Sequence, residues 1–229
     1  MCFSAGASFG ASAVLCAIGT LALKKTTTSS QIMFAAIPLI FSAQQFTEGL
    51  AWLSLSNPAN AAWQSSSQHA FLFVAEVLWP IWAPLALLHL EQEPVRRKIL
   101  LALTGIGLFV SLVLGYHLAV YPVHAGIDGH HIHYEQNLPL ARLWFGALVY
   151  VLPTAAPLFI SSIKKMWIMG VSLMASYLVT ELFYSEYLTS VWCYFAALIS
   201  IEVVVLIHYA PEDHDLPTEP QPRTDTGTP

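Results

Sequence analysis

The chain has 229 residues, 56% of them hydrophobic and only 10% charged, with a mean hydropathy of +0.60. Soluble domains carry about 25% charged residues, so this composition leaves too little polar surface for water on every side and excludes an ordinary soluble domain. The net charge is −5, and no basic concentration offers a surface to nucleic acid.

A helix needs about 20 apolar residues to cross the hydrocarbon core. Apolar runs predict seven such helices, near 4–23, 31–54, 69–90, 98–120, 140–161, 165–184 and 188–209. The predicted fold is therefore all-α: one polytopic membrane domain over residues 1–210. Residues 211–229 follow as a Pro/Thr-rich tail. Glu212, Asp213, Asp215, Glu219 and Asp225 there face Arg223 alone, the composition of a disordered, solvated segment. The first apolar run begins at the second residue with no positive region before it, so no cleavable signal peptide is expected.

The connecting segments set the direction. Lys24 and Lys25 follow the first helix, Arg96, Arg97 and Lys98 the third, and Lys164 and Lys165 the fifth. The other loops hold almost no Lys or Arg, apart from Arg142 at the start of the fifth helix. By the positive-inside rule the amino terminus lies outside and the tail is cytoplasmic.

In the first helix, Gly6 and Gly10, extended by Ala13, form a small-xxx-small stripe that predicts close helix packing. Ser8, Ser12 and Cys16 lie on another stripe, and mid-helix Cys16 reads as an inert packing residue. Cys2 follows the initiator Met. If that Met is removed, a cysteine with a free α-amine remains, an arrangement that serves as its own base or chelates soft metals.

The second helix places Gln44, Gln45 and Glu48 on one face by spacings of three and four. In the third, His69, Phe73, Glu76 and Pro80 form a continuous stripe. The fourth ends in Tyr116 and His117. The loop after it holds His124, His130, His131 and His133, with a turn expected at Asp128-Gly129. If this loop is extended, His131 and His133 point to one side, a usable spacing for two metal ligands. Tyr177, Glu181 and Tyr184 share a stripe of the sixth helix. Ser190, Trp192 and Cys193 open the seventh. Glu202, nine residues beyond Cys193, falls on roughly the opposite helix face and reads as a separate contact nearer the cytoplasm.

An ionisable side chain in a span costs about 2.5–3.5 kcal/mol on insertion scales. Given the predicted direction, Glu48, His69, Glu76, His117, Glu181 and Cys193 all fall in the outer half, with Cys2 and the loop histidines at the same surface. Two readings stand side by side: polar groups that only fix helix packing, or a site. The site reading takes His117, Glu181, His131, His133 and Cys193 as ligands to zinc, iron or copper. Glu48, Glu76 and Cys2 would be its catalytic groups, supported by Gln44, Gln45, His69, Trp79 and Tyr177. Cys2 and Cys193 can instead pair as a disulfide or act as reactive thiols. The pattern lacks HExxH, CxxC and any histidine pair at helical spacing.

The leading functional expectation is a metal-dependent membrane hydrolase acting on a lipid or another membrane-soluble molecule. A transporter or ion-binding protein using the same carboxylates is the alternative, though no internal repeat supports it. A receptor or partner subunit without turnover is the third. A retinal protein is disfavoured, because the seventh helix has no lysine. So is a haem carrier, because His69 and His89 are about 30 Å apart along one helix.

Several stretches resemble an uncharacterised family of bacterial integral membrane proteins. They are the opening Met1-Cys2-Phe3-Ser4-Ala5, residues 35–45 (AAIPLIFSAQQ), Phe71-Leu72-Phe73 with Trp79-Pro80, the His131-Ile132-x-Tyr134 loop, Pro157-Leu158 with Ser161-Ser162, and residues 190–197 (SVWCYFAA). The resemblance implies a shared fold, a bacterial cytoplasmic-membrane location and a shared site around Cys2, Gln45, Glu48, Trp79 and Cys193. It implies no mechanism. In helix count and orientation the chain is also similar to alkaline-ceramidase-type zinc hydrolases, but their Ser-xxx-His and His-xxx-His patterns are missing.

Overall fold

The computed structural model describes residues 4–136 and 146–210. Cys2, Arg142, the expected start of the fifth helix and the acidic tail lie outside the described residues. The order is α1 (Ala5–Lys24), α2 (Ile32–Ala35), α3 (Ile37–Ser56), α4 (Gln64–Leu72), a π-helical segment (Phe73–Leu78), α5 (Trp79–Leu90) and α6 (Pro94–Val120). A β-hairpin of β1 (His124–Asp128) and β2 (His131–Glu135) follows, then α7 (Gly146–Ile160), α8 (Met166–Tyr184), α9 (Leu188–Ile199) and α10 (Val203–Leu206).

Four helical stretches among the described residues are long and apolar enough to cross a membrane: Ala5–Lys24, Pro58–Leu90, Pro94–Val120 and Met166–Tyr209. Leu148–Ile160 is a shorter apolar helix. α3 matches α1 in length, but Gln44, Gln45 and Glu48 interrupt its apolar run. The last stretch folds back on itself at a 3₁₀ turn, Ser185–Tyr187, so that Tyr177 meets Trp192 and Ser172 donates to Glu202 at 3.2 Å. The separate contact expected of Glu202 is thus present.

α1 runs antiparallel to α3, and α8 to α9. A Cβ at Gly49 would meet Phe9, Ser12 bonds Ser42, and a Cβ at Gly19 would meet Leu39, which fixes α1 against α3. The packing stripe of α1 is therefore the serine stripe: Ser8 and Ser12 are buried. The expected Gly6–Gly10 contact is not made. A Cβ at Gly10 would meet nothing, and Cys16 is exposed rather than packed. The short Ser12–Ser42 bridge supplies hydrogen bonds inside the bundle, which an all-small stripe does not, and so it wins the interface.

One buried acid was not anticipated. Glu91, fully buried between α5 and α6, accepts from the Ser162 backbone N–H and hydroxyl, both at 2.7 Å, and from the Glu93 N–H at 3.1 Å. Arg96 donates to the Ile160 carbonyl at 2.6 Å and Arg97 to the Glu91 carbonyl at 2.7 Å. The α5–α6 turn is thereby clamped to the end of α7. Glu93 caps α6, and the N–H groups of Arg96 and Val95 hold its carboxyl below the usual range.

Candidate functional site

Pro80 organises the centre of the bundle. It has no N–H, so neither the Glu76 carbonyl at i−4 nor the Ala75 carbonyl at i−5 can be capped by residue 80. The backbone widens into the π segment Phe73–Leu78. Such segments are rare and concentrate at functional positions. The Tyr150 hydroxyl of α7 donates to the Ala75 carbonyl, and Ser111 of α6 donates to the Val77 carbonyl at 2.6 Å. Pro84 frees the Pro80 carbonyl in turn, and Gly107 lies against it, so close that a Cβ there would sit 1.8 Å from the oxygen.

Glu76 stands on this π segment, 9% exposed. Its Oε1 accepts from the Gln136 side-chain amide at 2.9 Å, while Oε2 has no hydrogen-bond partner among the described residues. It borders a cavity of about 340 Å³ between the π segment, α6, α7, α8 and α9. The polar lining includes Glu76, Glu181, Tyr177, Thr189 and Cys193, and Trp192, whose buried indole N–H has no partner among the described residues, adds an aromatic wall. Phe109 and Glu181 are exposed, so the cavity reaches the outer surface of the bundle beside them. A second, apolar space of about 70 Å³ shares Tyr150, Trp192 and Cys193 with it and extends towards Trp79 and Leu158.

The α3 face has a different character. Gln44, Gln45 and Glu48 are fully buried. Gln44 accepts from the Trp79 indole at 3.0 Å, and Trp79 stacks on Phe41 at 4.2 Å. Glu48 accepts from the Ser190 hydroxyl at 2.6 Å. Neither end of the Gln45 amide finds a hydrogen bond among the described residues. None of these three side chains lines either cavity. They form a seam between helices, with Cys193 where seam and cavity meet, beside Gln44, Glu48 and Glu76.

The histidines go elsewhere. The loop is extended, with Asp128 paired to His131 and Gly126 to His133, and the turn expected at Asp128-Gly129 is present, Gly129 lying in the left-handed region at φ 56°. His131 stacks on Tyr187 at 4.7 Å and meets Tyr184 at 5.4 Å, and His133 meets Tyr187 edge-on at 6.0 Å. Tyr187 also donates to Asp128. Burial, reinforced by the neighbouring His130 charge, holds the His131 imidazole below its ordinary pKa. His117 stacks on Tyr121 at 5.0 Å, and His69 donates to the Ser65 carbonyl one turn back at 2.8 Å.

The groups expected at one level of the membrane occupy three places in the bundle: a seam, a cavity and a hairpin. Among the described residues no three His, Cys, Asp or Glu side chains come together as a metal site. His117, Glu181, His131, His133 and Cys193 do not form the expected ligand set, and Cys2 lies outside the described residues. Tyr150 and Gln136 are the site residues that sequence reasoning missed. Tyr150 had one readable signal, since the carbonyls freed by Pro80 require a donor from a neighbouring helix.

The chain belongs to the family of unknown function DUF6629, whose model matches residues 1–217. No curated protein and no solved structure matches it, and the architectural likeness to alkaline-ceramidase-type hydrolases finds no support there.

Proposed function

We propose that this is an integral membrane protein that binds a membrane-soluble small molecule in the cavity beside Glu76. The carrying observation is the Glu76 carboxyl: nine-tenths buried, with one oxygen lacking a hydrogen-bond partner among the described residues, on a residue that lines about 340 Å³ of space. A buried polar group is ordinarily satisfied, and a ligand that supplies the missing partner accounts for the exception. Tyr150, Ser111 and Gly107 hold the π segment that presents this carboxyl, so the site is organised before any ligand arrives.

In this reading the chain crosses the bilayer seven times, with its amino terminus outside and its tail in the cytoplasm of a bacterium. The basic connections at 24–25, 96–98 and 164–165 and the antiparallel pairs α1–α3 and α8–α9 support it. The cavity then lies in the outer half, and its opening beside Phe109 faces lipid.

Native mass spectrometry of the protein released from maltoside micelles tests the binding reading. We expect the wild type to retain a small molecule and a Leu114→Trp variant, which fills the cavity, to lose it. A ligand-free wild type whose unfolding temperature no amphiphile raises would sink the reading.

A further inference from the structure

The cavity beside Glu76 offers carboxyl groups and aromatic faces, and no Lys, Arg or His lines it among the described residues. Glu76 and Glu181 stand on different walls, and Tyr177 lies against Glu181. Trp192 joins the aromatic walls: Tyr150 meets its ring at 5.8 Å and Tyr177 at 5.1 Å, inclined at 71° and 72°. An anion entering here would face two acidic side chains, one of them buried, with no cationic side chain among the described lining residues. A cation would gain from both acids and from the faces of the aromatic rings.

A second space lies against the same residues. The apolar slot of about 70 Å³ shares Tyr150, Trp192 and Cys193 with the head site and is walled by Ala83, Leu87 and Leu158. A hydrocarbon chain is the complement of such a wall.

We infer that the ligand is an organic cation, an amine or quaternary ammonium held between Glu76, Glu181 and the Trp192 aromatic walls, with a hydrocarbon tail in the slot past Trp192. This rests on the reading of the cavity as a ligand site. The acids neutralise the head. The two sources of such a head, a membrane amphiphile and a water-soluble amine, differ in the tail.

The test is calorimetric titration of the full chain in maltoside micelles with four probes: hexyltrimethylammonium, tetramethylammonium, hexanoate and 1-hexanol. We expect hexyltrimethylammonium to bind at least about tenfold more tightly than the other three. Glu76→Gln, and separately Glu181→Gln, should each weaken it about tenfold while leaving the unfolding temperature of the empty protein in place. Ala83→Leu should abolish the advantage of the tailed cation over tetramethylammonium.

Hexanol or hexanoate binding as tightly as the tailed cation would overturn the inference and leave the cavity as a ligand site. Tetramethylammonium binding as tightly would overturn the tail assignment and identify a water-soluble cation. Binding of none of the four, with a wild-type spectrum free of any retained molecule, would remove both the inference and the function beneath it.

Discussion

Glu48 and Glu76 are both acids buried in the helical bundle, and they do opposite things. Glu48 is closed in a seam, gripped by Ser190 from a helix far along the chain and flanked by Gln44, which holds Trp79. Glu76 borders a cavity, and one of its oxygens has no partner among the described residues. The difference arises in the backbone. α3 continues as a regular helix through Glu48, so its polar face packs like any other helix face. Pro80 prevents that regularity around Glu76, and the widened segment swings the carboxyl against a cavity that neighbouring helices do not fill. Burial alone therefore does not separate a packing acid from a binding acid. Completion of the hydrogen bonds does.

The largest effect should come from the residue that holds the cavity side together. A Cβ at Gly107 would overlap the Pro80 carbonyl, and both partners are backbone, so neither can step aside cheaply. Gly107→Ala should destabilise the protein by about 4 kcal/mol or more, measured by thermal unfolding in maltoside. A near-normal unfolding temperature would mean that α6 does not pack on α5 as described.

The next test compares the two acids directly. Ser190→Ala removes a donor from a fully buried carboxylate and should cost about 2 kcal/mol. Glu76→Gln removes nothing that the folded protein alone requires, so its stability should stay within about 0.5 kcal/mol of wild type. Equal losses would show that Glu76 is as structural as Glu48.

A double-mutant cycle sharpens the backbone explanation. Tyr150→Phe should cost about 1 kcal/mol, because it strips the donor from the Ala75 carbonyl. In a Pro80→Ala background residue 80 regains an N–H that can satisfy this part of the ladder, and the same Tyr150→Phe change should then cost close to nothing. A coupling of about 1 kcal/mol between the two sites is the expected readout, and strict additivity would break the link between Pro80, the π segment and Tyr150.

These contrasts mark what was legible in the chain. Spacings of three and four put Gln44, Gln45 and Glu48 on one face, and that face is buried because helix geometry is local. The turn at Asp128-Gly129 was legible for the same reason. The outward Gly6–Gly10 stripe was not. Small residues permit close approach, but only the partner decides which face receives it, and Ser42 selects the serines. Glu91 was hidden because its partners, Ser162 and the α7 end, lie 71 residues away. The cavity was hidden because empty space is what several helices together fail to fill. The Glu76 face was visible, whereas the loss of helical regularity around it required knowing that Tyr150 and Ser111 would accept the freed carbonyls' demand.

The smallest expected effect belongs to the hairpin, the third destination of the polar groups and a largely exposed one. His131 stacks on Tyr187 and meets Tyr184 edge-on, with Asp128 and His130 as its charged neighbours on the hairpin. Burial lowers its pKa in the folded state, and the Asp128 charge opposes part of that shift. The unfolded or undocked hairpin therefore binds the proton more readily. Stability from this contact is fully present above the ordinary histidine value of about 6.5 and declines as pH falls below it towards the lower folded value. Hydrogen exchange at the β1–β2 amides should accordingly quicken, after correction for intrinsic rates, between about pH 6.5 and 5. A Tyr187→Phe variant retains the ring but loses the bond to Asp128, so its exchange should be faster at every pH with the same acid-side trend. Protection that rises on acidification would reverse the sign and show that the imidazolium, rather than the neutral ring, is the docked form.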